Sequence, residues 1–167
     1  DDGIGNPILL GNQVIIKELM DELNFEADLP IIDPKSDEEK ERRNRFAKIY
    51  WEKHQRNGIT LLDAQKWMRE RNYFAAMMVN EGEADSLVTG YSRSYPSVAK
   101  PMIELIGMAK GVLRVAATNI MMTDRGPMFF SDTAFNINPN EQELVQIARM
   151  TDRVMKIFGL EPHFAVL

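Results

Sequence analysis

Short apolar segments alternate with longer amphipathic segments along this chain, and that alternation restricts the possible folds more than any other feature. Residues 7–10, 29–33 and 86–90 are apolar runs bounded by turn-forming residues, which is typical of buried strands. Segments with helical periodicity lie between them. Strands that alternate with helices favour an α/β fold built on a doubly wound, mostly parallel sheet.

Capping residues and glycines predict where the helices begin and end. Helices are expected at residues 14–23, 36–57, 60–68, 73–81, 95–106 and 139–158. Three of them start at a capping pattern, in which Ser36 stands three residues before Glu39, Thr60 three before Asp63 and Asn138 three before Glu141. These patterns predict which side chains satisfy the free N–H groups of the first turns.

The C-terminal part of the chain contains a predicted antiparallel hairpin. Residues 112–122 and 127–132 are predicted to be extended and are joined by the turn Asp124-Arg125-Gly126. A further strand is predicted to begin at His163 and to reach the last residue. Because that strand ends the chain, and because residue 1 is not methionine, we expect a fragment of a longer protein.

The composition excludes several classes of function. With 20 basic and 25 acidic residues the net charge is −5, which gives no positive field to hold nucleic acid or anionic lipid. The chain has no cysteine, which excludes disulfides and thiolate zinc sites and suits a reducing compartment. No apolar run approaches the roughly 20 residues that a membrane-spanning helix needs. We therefore expect a cytoplasmic protein without nucleic-acid or membrane partners.

The junction before the helix at residue 95 carries the most chemical information. If a strand ends and a helix begins there, backbone N–H groups and the positive end of the helix dipole converge on Gly90 and the residues after it. The hydroxyls of Ser92 and Ser94 and the guanidinium of Arg93 could then bind a phosphate, with Lys100 as a second cation. Ordinary helix capping and surface side chains explain the same residues, and spacing alone leaves both interpretations open.

Other chemical signals are weaker. The turn at Ser92 lacks the last glycine of the G-x-S-x-G nucleophile motif, and only His54 and His163 could act as its base, so a hydrolase is excluded. Asp132 and Asn136 lie beside the predicted hairpin, where turn and capping roles are favoured over metal binding because no ligand spacing connects them. No glycine-rich nucleotide motif is present, so no cofactor is predicted in this chain.

Several segments match a known family in sequence and in order. They are Pro7-Ile8-Leu9-Leu10-Gly11, residues 72–79, residues 82–90, Asn138-Pro139 before the last predicted helix, and Phe158-Gly159-Leu160-Glu161-Pro162 at its end. Together they resemble the phosphate acetyltransferase/butyryltransferase family over nearly the whole chain. Arg93-Ser94-Tyr95-Pro96 and residues 126–133 further resemble one branch, the acetyltransferase-like C-terminal domain of bifunctional NADP-dependent malic enzymes. Stand-alone acetyltransferases typically have a His-Thr-Thr-type sequence in place of Arg93-Ser94-Tyr95.

The resemblance implies a two-domain α/β fold similar to the isocitrate/isopropylmalate dehydrogenases, which forms dimers and binds coenzyme A and phosphate between its domains. Residues 1–167 would form a partial domain, with residues 1–90 in its first subdomain and 91–167 at the start of the second. Active members use an Asp and a Ser that follow the strand matching residues 163–167, so this chain alone is not expected to transfer acetyl groups. Lys100 stands where members often have Arg, which replaces a bidentate phosphate contact by a point charge.

Three hypotheses of function follow from the resemblance. In the malic-enzyme branch such a domain senses acetyl-CoA, regulates and oligomerises, while NADP and a divalent metal bind a separate malic-enzyme catalytic domain of the same polypeptide. The alternatives are a working phosphate acetyltransferase and an oligomerising module without affinity for acetyl-CoA. The residues predicted to bind acyl-CoA or phosphate are Thr89, Gly90, Ser92, Arg93, Ser94 and Lys100, with Asp132 and Asn136 as further candidates.

Overall fold

The computed structural model of the chain describes residues 3–91 and 93–166, which fall into two units divided between Gly107 and Met108. The first unit begins with β1 (Leu9–Leu10), α1 (Gln13–Glu22) and β2 (Ile31–Ile32). The two strands are parallel and pair Leu9 with Ile31. The predicted order of strand, helix and strand is therefore confirmed, whereas the subdomain boundary near residue 90 stays a prediction.

Four further helices complete the first unit. They are α2 (Lys40–His54), α3 (Leu61–Trp67), α4 (Arg71–Asn80) and α5 (Tyr95–Pro101), the last of which continues as a π-helical turn over Met102–Ile106. Apolar side chains from α2, α3, α4 and this π-helical turn form the core. Its largest fully buried members are Tyr50, Phe46, Phe74, Met68, Met77 and Leu105. The core thus ties α2, α3 and α4 to the segment that follows α5.

The predicted capping box at Ser36 is wrong. Helix α2 begins after Glu39, and no side chain caps it. Instead Arg43, which is buried, donates to the carbonyl oxygen of Pro34 at 2.8 Å and also to that of Ser36. A guanidinium from inside the helix therefore satisfies the turn that Ser36 was expected to organise. The predicted end of this helical segment is confirmed, since a 3₁₀ turn leads to Gly58 at φ 81°.

The predicted strand at residues 86–90 is also wrong. This segment has no regular structure, and Val88 is fully exposed. A strand satisfies its backbone N–H and C=O groups through a neighbouring strand. No strand within residues 3–91 and 93–166 pairs with this segment. Its apolar pattern resembles that of a buried strand, but the pattern does not supply the partner that a strand needs.

The second unit contains β3 (Thr118–Thr123), β4 (Gly126–Ser131) and α6 (Glu141–Ile157). The two strands are antiparallel and pair Thr118 with Ser131, which confirms the hairpin although β3 starts later than expected. The N-cap of α6 is Asn140 instead of the predicted Asn138, and it forms a capping box with Glu143. The predicted strand from His163 is wrong for residues 163–166, which join neither sheet.

The class of fold is α/β, with a small parallel sheet and an antiparallel pair. Among the described residues each sheet has only two strands, so the doubly wound sheet expected from the sequence is not formed there. The strands expected at residues 86–90 and 163–167 would have extended the parallel sheet. No helix in the described ranges has the length and apolar character that crossing a membrane requires.

Candidate functional site

The predicted phosphate-binding segment lies between an irregular stretch and the start of α5. Ser94 is the N-cap of this helix, with an extended backbone at φ −64° and ψ 145°, but its side chain does not cap the helix. Its hydroxyl donates to Ser97 Oγ at 3.2 Å, and Ser97 Oγ donates to the Ser94 carbonyl oxygen at 2.7 Å. Gly90 takes a positive φ of 123°, which favours glycine. Ser92 lies outside the described residues.

Asn72 holds this segment on both sides. The hydroxyl of Thr89 donates to Asn72 Oδ1 at 2.9 Å, and Asn72 Nδ2 donates to the carbonyl oxygen of Ser97 at 3.3 Å. The helix expected at residues 73–81 excludes Asn72, whereas Asn72 is the second residue of α4. An asparagine between two expected helices is unremarkable, so no local signal indicated the role of its side chain.

Arg93 forms an ion pair at the surface. Its Nη2 lies 3.9 Å from Oε2 of Glu70, the residue that precedes α4, and the side chains are 51% and 54% exposed. Pairs of this kind are weak and are screened by salt. The guanidinium is therefore held near the segment that Asn72 fixes, but it stays accessible to an anion that competes with Glu70.

Lys100 is 59% exposed and makes two contacts, where Arg93 has one ion pair. Its ammonium lies 5.5 Å from the centre of the Trp67 ring and 3.7 Å from Oε1 of Glu104, one turn further along. The face of an indole ring attracts a cation, so both contacts act on the same group. Both cations of the predicted site therefore have a carboxylate partner, Glu70 for Arg93 and Glu104 for Lys100. The hydroxyl of Thr89 donates to Asn72, and that of Ser94 donates to Ser97.

Glu104 is the centre of a polar cluster that the sequence did not predict. Its Oε2 accepts hydrogen bonds from the hydroxyls of Tyr50, at 2.9 Å, and Tyr73, at 3.0 Å. Burial, and next the carboxylate of Glu104, raise the pKa of both tyrosines above the ordinary value of 10.0, so both hydroxyls stay protonated and donate. No local pattern links residues this far apart in the chain.

The two candidates in the second unit contact each other. The backbone N–H of Asn136 donates to Asp132 Oδ1 at 3.3 Å, and Asn136 Nδ2 donates to the carbonyl oxygen of Val115 at 3.1 Å. Asp132 has a left-handed backbone at φ 56°, a conformation that is uncommon outside glycine but that aspartate and asparagine adopt more often than other residues. These contacts organise the turn after β4, and a ligand role for the two residues stays a prediction. No group of metal-ligating side chains was found within residues 3–91 and 93–166.

Comparison with known proteins identifies the class of this chain. The sequence profile described as phosphate acetyl/butaryl transferase matches residues 1–167. The chain belongs to that family, as the segments quoted above indicated.

Its relatives include two kinds of protein. An NADP-dependent malic enzyme from Haemophilus influenzae is 33% identical over 99% of this chain, which spans 22% of that protein. A phosphate acetyltransferase from Thermoanaerobacterium thermosaccharolyticum is 32% identical over 99% of this chain, which spans 52% of it. The crystal structure of a phosphotransacetylase from Streptococcus pyogenes superposes with a TM-score of 0.79 at 31% identity, covering 96% of this chain and 49% of that one. The chain thus spans about half or less of these relatives.

Proposed function

We propose that this chain forms part of an acetyl-CoA-sensing domain that regulates and oligomerises an NADP-dependent malic enzyme. The observation that carries the proposal is the segment around Arg93, which Asn72 ties down at Thr89 and at Ser97 while the guanidinium stays half-exposed. An accessible cation on a segment anchored at both flanks is suited to binding a phosphorylated ligand such as a coenzyme A thioester.

The ion pair of Arg93 explains how a ligand would gain access. Glu70 is itself half-exposed, so its carboxylate can move into water when a phosphate group approaches Arg93. A guanidinium binds phosphate through two parallel hydrogen bonds, which are stronger than its long contact with Glu70. The ligand would therefore replace Glu70 as the partner of Arg93.

One feature favours regulation over acetyl transfer. The segment Arg93-Ser94-Tyr95 follows the malic-enzyme branch in place of the His-Thr-Thr-type sequence of stand-alone acetyltransferases. On this proposal the complete domain has the doubly wound fold of the isocitrate/isopropylmalate dehydrogenases and assembles with further copies of itself. NADP and a divalent metal bind the malic-enzyme catalytic domain of the same polypeptide, in the cytoplasm.

A phosphate acetyltransferase is the alternative. It is favoured by the superposition on the phosphotransacetylase from Streptococcus pyogenes. In that case the same surface would move an acetyl group between coenzyme A and phosphate, and Arg93 would bind one of the two anions.

Release of free coenzyme A thiol from acetyl-CoA in the presence of phosphate distinguishes the two functions. The experiment uses the complete protein, because the Asp and Ser that active members of the family use are expected outside this chain, at an acetyl-CoA concentration that saturates binding. The regulatory proposal predicts saturable binding without thiol release above the rate of the buffer. Thiol release that requires phosphate and disappears in Arg93→Ala would contradict it and support the acetyltransferase.

A further inference from the structure

The carboxylate of Glu104 contacts three side chains, one of which is the predicted binding residue Lys100. Glu104 lies in the π-helical turn Met102–Ile106 and is 26% exposed, with Tyr50 and Tyr73 on one oxygen and Lys100 near the other. Nothing in the proposed ligand contacts uses Glu104 directly. Its surroundings indicate that it acts on Lys100.

The two tyrosines fix the position of the carboxylate. Tyr50 comes from α2 and Tyr73 from α4, and both rings are buried. The Tyr73 ring stacks on Trp67 with an interplanar angle of 16°, and Tyr50 meets both rings edge-on. Since Glu104 Oε2 accepts from both hydroxyls, any movement of the carboxylate breaks two part-buried hydrogen bonds at once.

The other oxygen of this carboxylate faces Lys100. Glu104 Oε1 lies 3.7 Å from Lys100 Nζ, and the ammonium lies 5.5 Å from the centre of the Trp67 ring. Trp67 stacks on Tyr73, so the aromatic contact and the carboxylate belong to the same rigid group. The flexible side chain of Lys100 therefore contacts two groups, the Trp67 ring and the Glu104 carboxylate, whose positions are set by the packing of the aromatic rings.

The local backbone accounts for the placement of Glu104. Pro101 lies inside the helix, is buried and has no N–H to donate. After it the hydrogen-bond pattern widens, and the N–H of Gly107 donates to the Met102 carbonyl oxygen at 3.1 Å. Single π-helical turns of this kind are frequent at functional sites.

We infer that Glu104 is a positioning residue, which holds the Lys100 ammonium against Trp67 and so limits its contribution to anion binding. The inference rests on the proposed function, because the anion is the acetyl-CoA or phosphate of that proposal. Glu70 can leave Arg93 freely, whereas Glu104 is anchored and keeps competing for Lys100. The two cations of the site are thus controlled by a mobile and a fixed carboxylate.

The first test measures the lysine without any ligand. Trace labelling with acetic anhydride, followed by peptide mass spectrometry, reports how freely each ammonium can react. In Glu104→Gln, where the amide oxygen can still accept from a tyrosine, we expect the labelling rate of Lys100 to rise at least three-fold. Glu52→Gln is the matched control, because Glu52 pairs with Lys48 at 3.9 Å and the same spacing but has no tyrosine anchor. Lys48 labelling should change less than 1.5-fold.

The second test measures binding. Glu104→Gln should lower the dissociation constant for acetyl-CoA about three-fold, and the same substitution in a Lys100→Met background should leave it unchanged. A double-mutant cycle of this kind separates a specific effect on Lys100 from a general loss of structure. If Glu104→Gln does not fold, Tyr73→Phe removes one anchor, and an intermediate rise in Lys100 labelling is expected.

The outcomes separate this inference from the proposed function. Unchanged Lys100 labelling in Glu104→Gln, or an equal effect on acetyl-CoA binding in the Lys100→Met background, would overturn the positioning role. Faster Lys100 labelling with no acetyl-CoA or phosphate binding by the unaltered chain would overturn the proposed function, and with it the effect on anion binding. That result would still support the positioning of the Lys100 ammonium by Glu104.

Discussion

Asn72 and Thr89 lie 17 residues apart in the chain and are joined by a hydrogen bond of 2.9 Å between their side-chain oxygens. Through the other end of its amide, Asn72 also contacts the carbonyl oxygen of Ser97 in α5. A single side chain from α4 thereby fixes both sides of the segment that carries Arg93.

Asn72→Ala should weaken acetyl-CoA binding, because it frees both flanks of the Arg93 segment and ordering them again opposes binding. It should also lower the free energy of unfolding by about 1 kcal/mol, because it removes two exposed hydrogen bonds that each contribute about 0.5 kcal/mol. Titration calorimetry and urea unfolding measure the two effects. Asn80→Ala is the control, since Asn80 lies in the same helix and its amide donates only to the adjacent Glu81. Equal affinities for the two variants would contradict the role of Asn72.

Glu70→Gln should strengthen acetyl-CoA binding, because it removes the carboxylate that competes for Arg93. An exposed ion pair is worth at most about 1 kcal/mol, so the gain in affinity should not exceed about five-fold. The gain should shrink as salt is added and should vanish when Arg93 is replaced by Ala. A gain that persists in the Arg93→Ala background would show that Glu70 acts through another group.

Asn140→Ala should destabilise the second unit, because Asn140 accepts from the N–H of Glu143 at 3.0 Å and caps α6. The expected loss in the free energy of unfolding is about 1 kcal/mol. Asn138→Ala removes the cap that the sequence suggested and should change it by less than about 0.5 kcal/mol. Urea unfolding followed by circular dichroism compares the two variants. A larger loss for Asn138→Ala would mean that α6 begins earlier.

Alkaline pH should destabilise the first unit through Tyr50 and Tyr73. Burial, and then Glu104, raise the pKa of both hydroxyls above 10.0, so above this pH the unfolded chain loses protons that the folded chain keeps. The stabilisation is complete below about pH 10 and is lost progressively as the pH rises further. Replacing both tyrosines by Phe should flatten the decline in unfolding free energy between pH 9.5 and 11 in urea titrations. A decline of unchanged slope would contradict the burial of these hydroxyls.

Features that depend on neighbouring residues were predictable from the sequence. The capping box of α3 forms as expected, with Thr60 accepting from the N–H of Asp63 at 3.1 Å. Gly58 and Gly107 end their helical segments with positive φ, which glycine adopts readily. The hairpin turn at residues 124–126 also followed from local signals.

Features that depend on distant partners were not predictable. Residues 86–90 have the apolar composition of a strand, but strand formation requires a neighbour that local patterning does not specify. The hydrogen bond from Tyr50 to Glu104 joins residues 54 apart, and that from Tyr73 joins residues 31 apart. For the same reason the sequence identified Arg93 and Lys100 as cations but not the carboxylates that control them.

Thermal unfolding of the chain at increasing concentrations of acetyl-CoA tests whether the segment around Arg93 binds acetyl-CoA. At about 100 times the dissociation constant a ligand stabilises the folded state by about 2.7 kcal/mol, which for a chain of this size raises the melting temperature by several degrees. We expect a saturable rise with acetyl-CoA, no rise with malate, and a rise for Arg93→Ala that needs at least ten-fold more ligand. A cooperative transition whose midpoint is the same with and without acetyl-CoA would show that this segment does not bind acetyl-CoA.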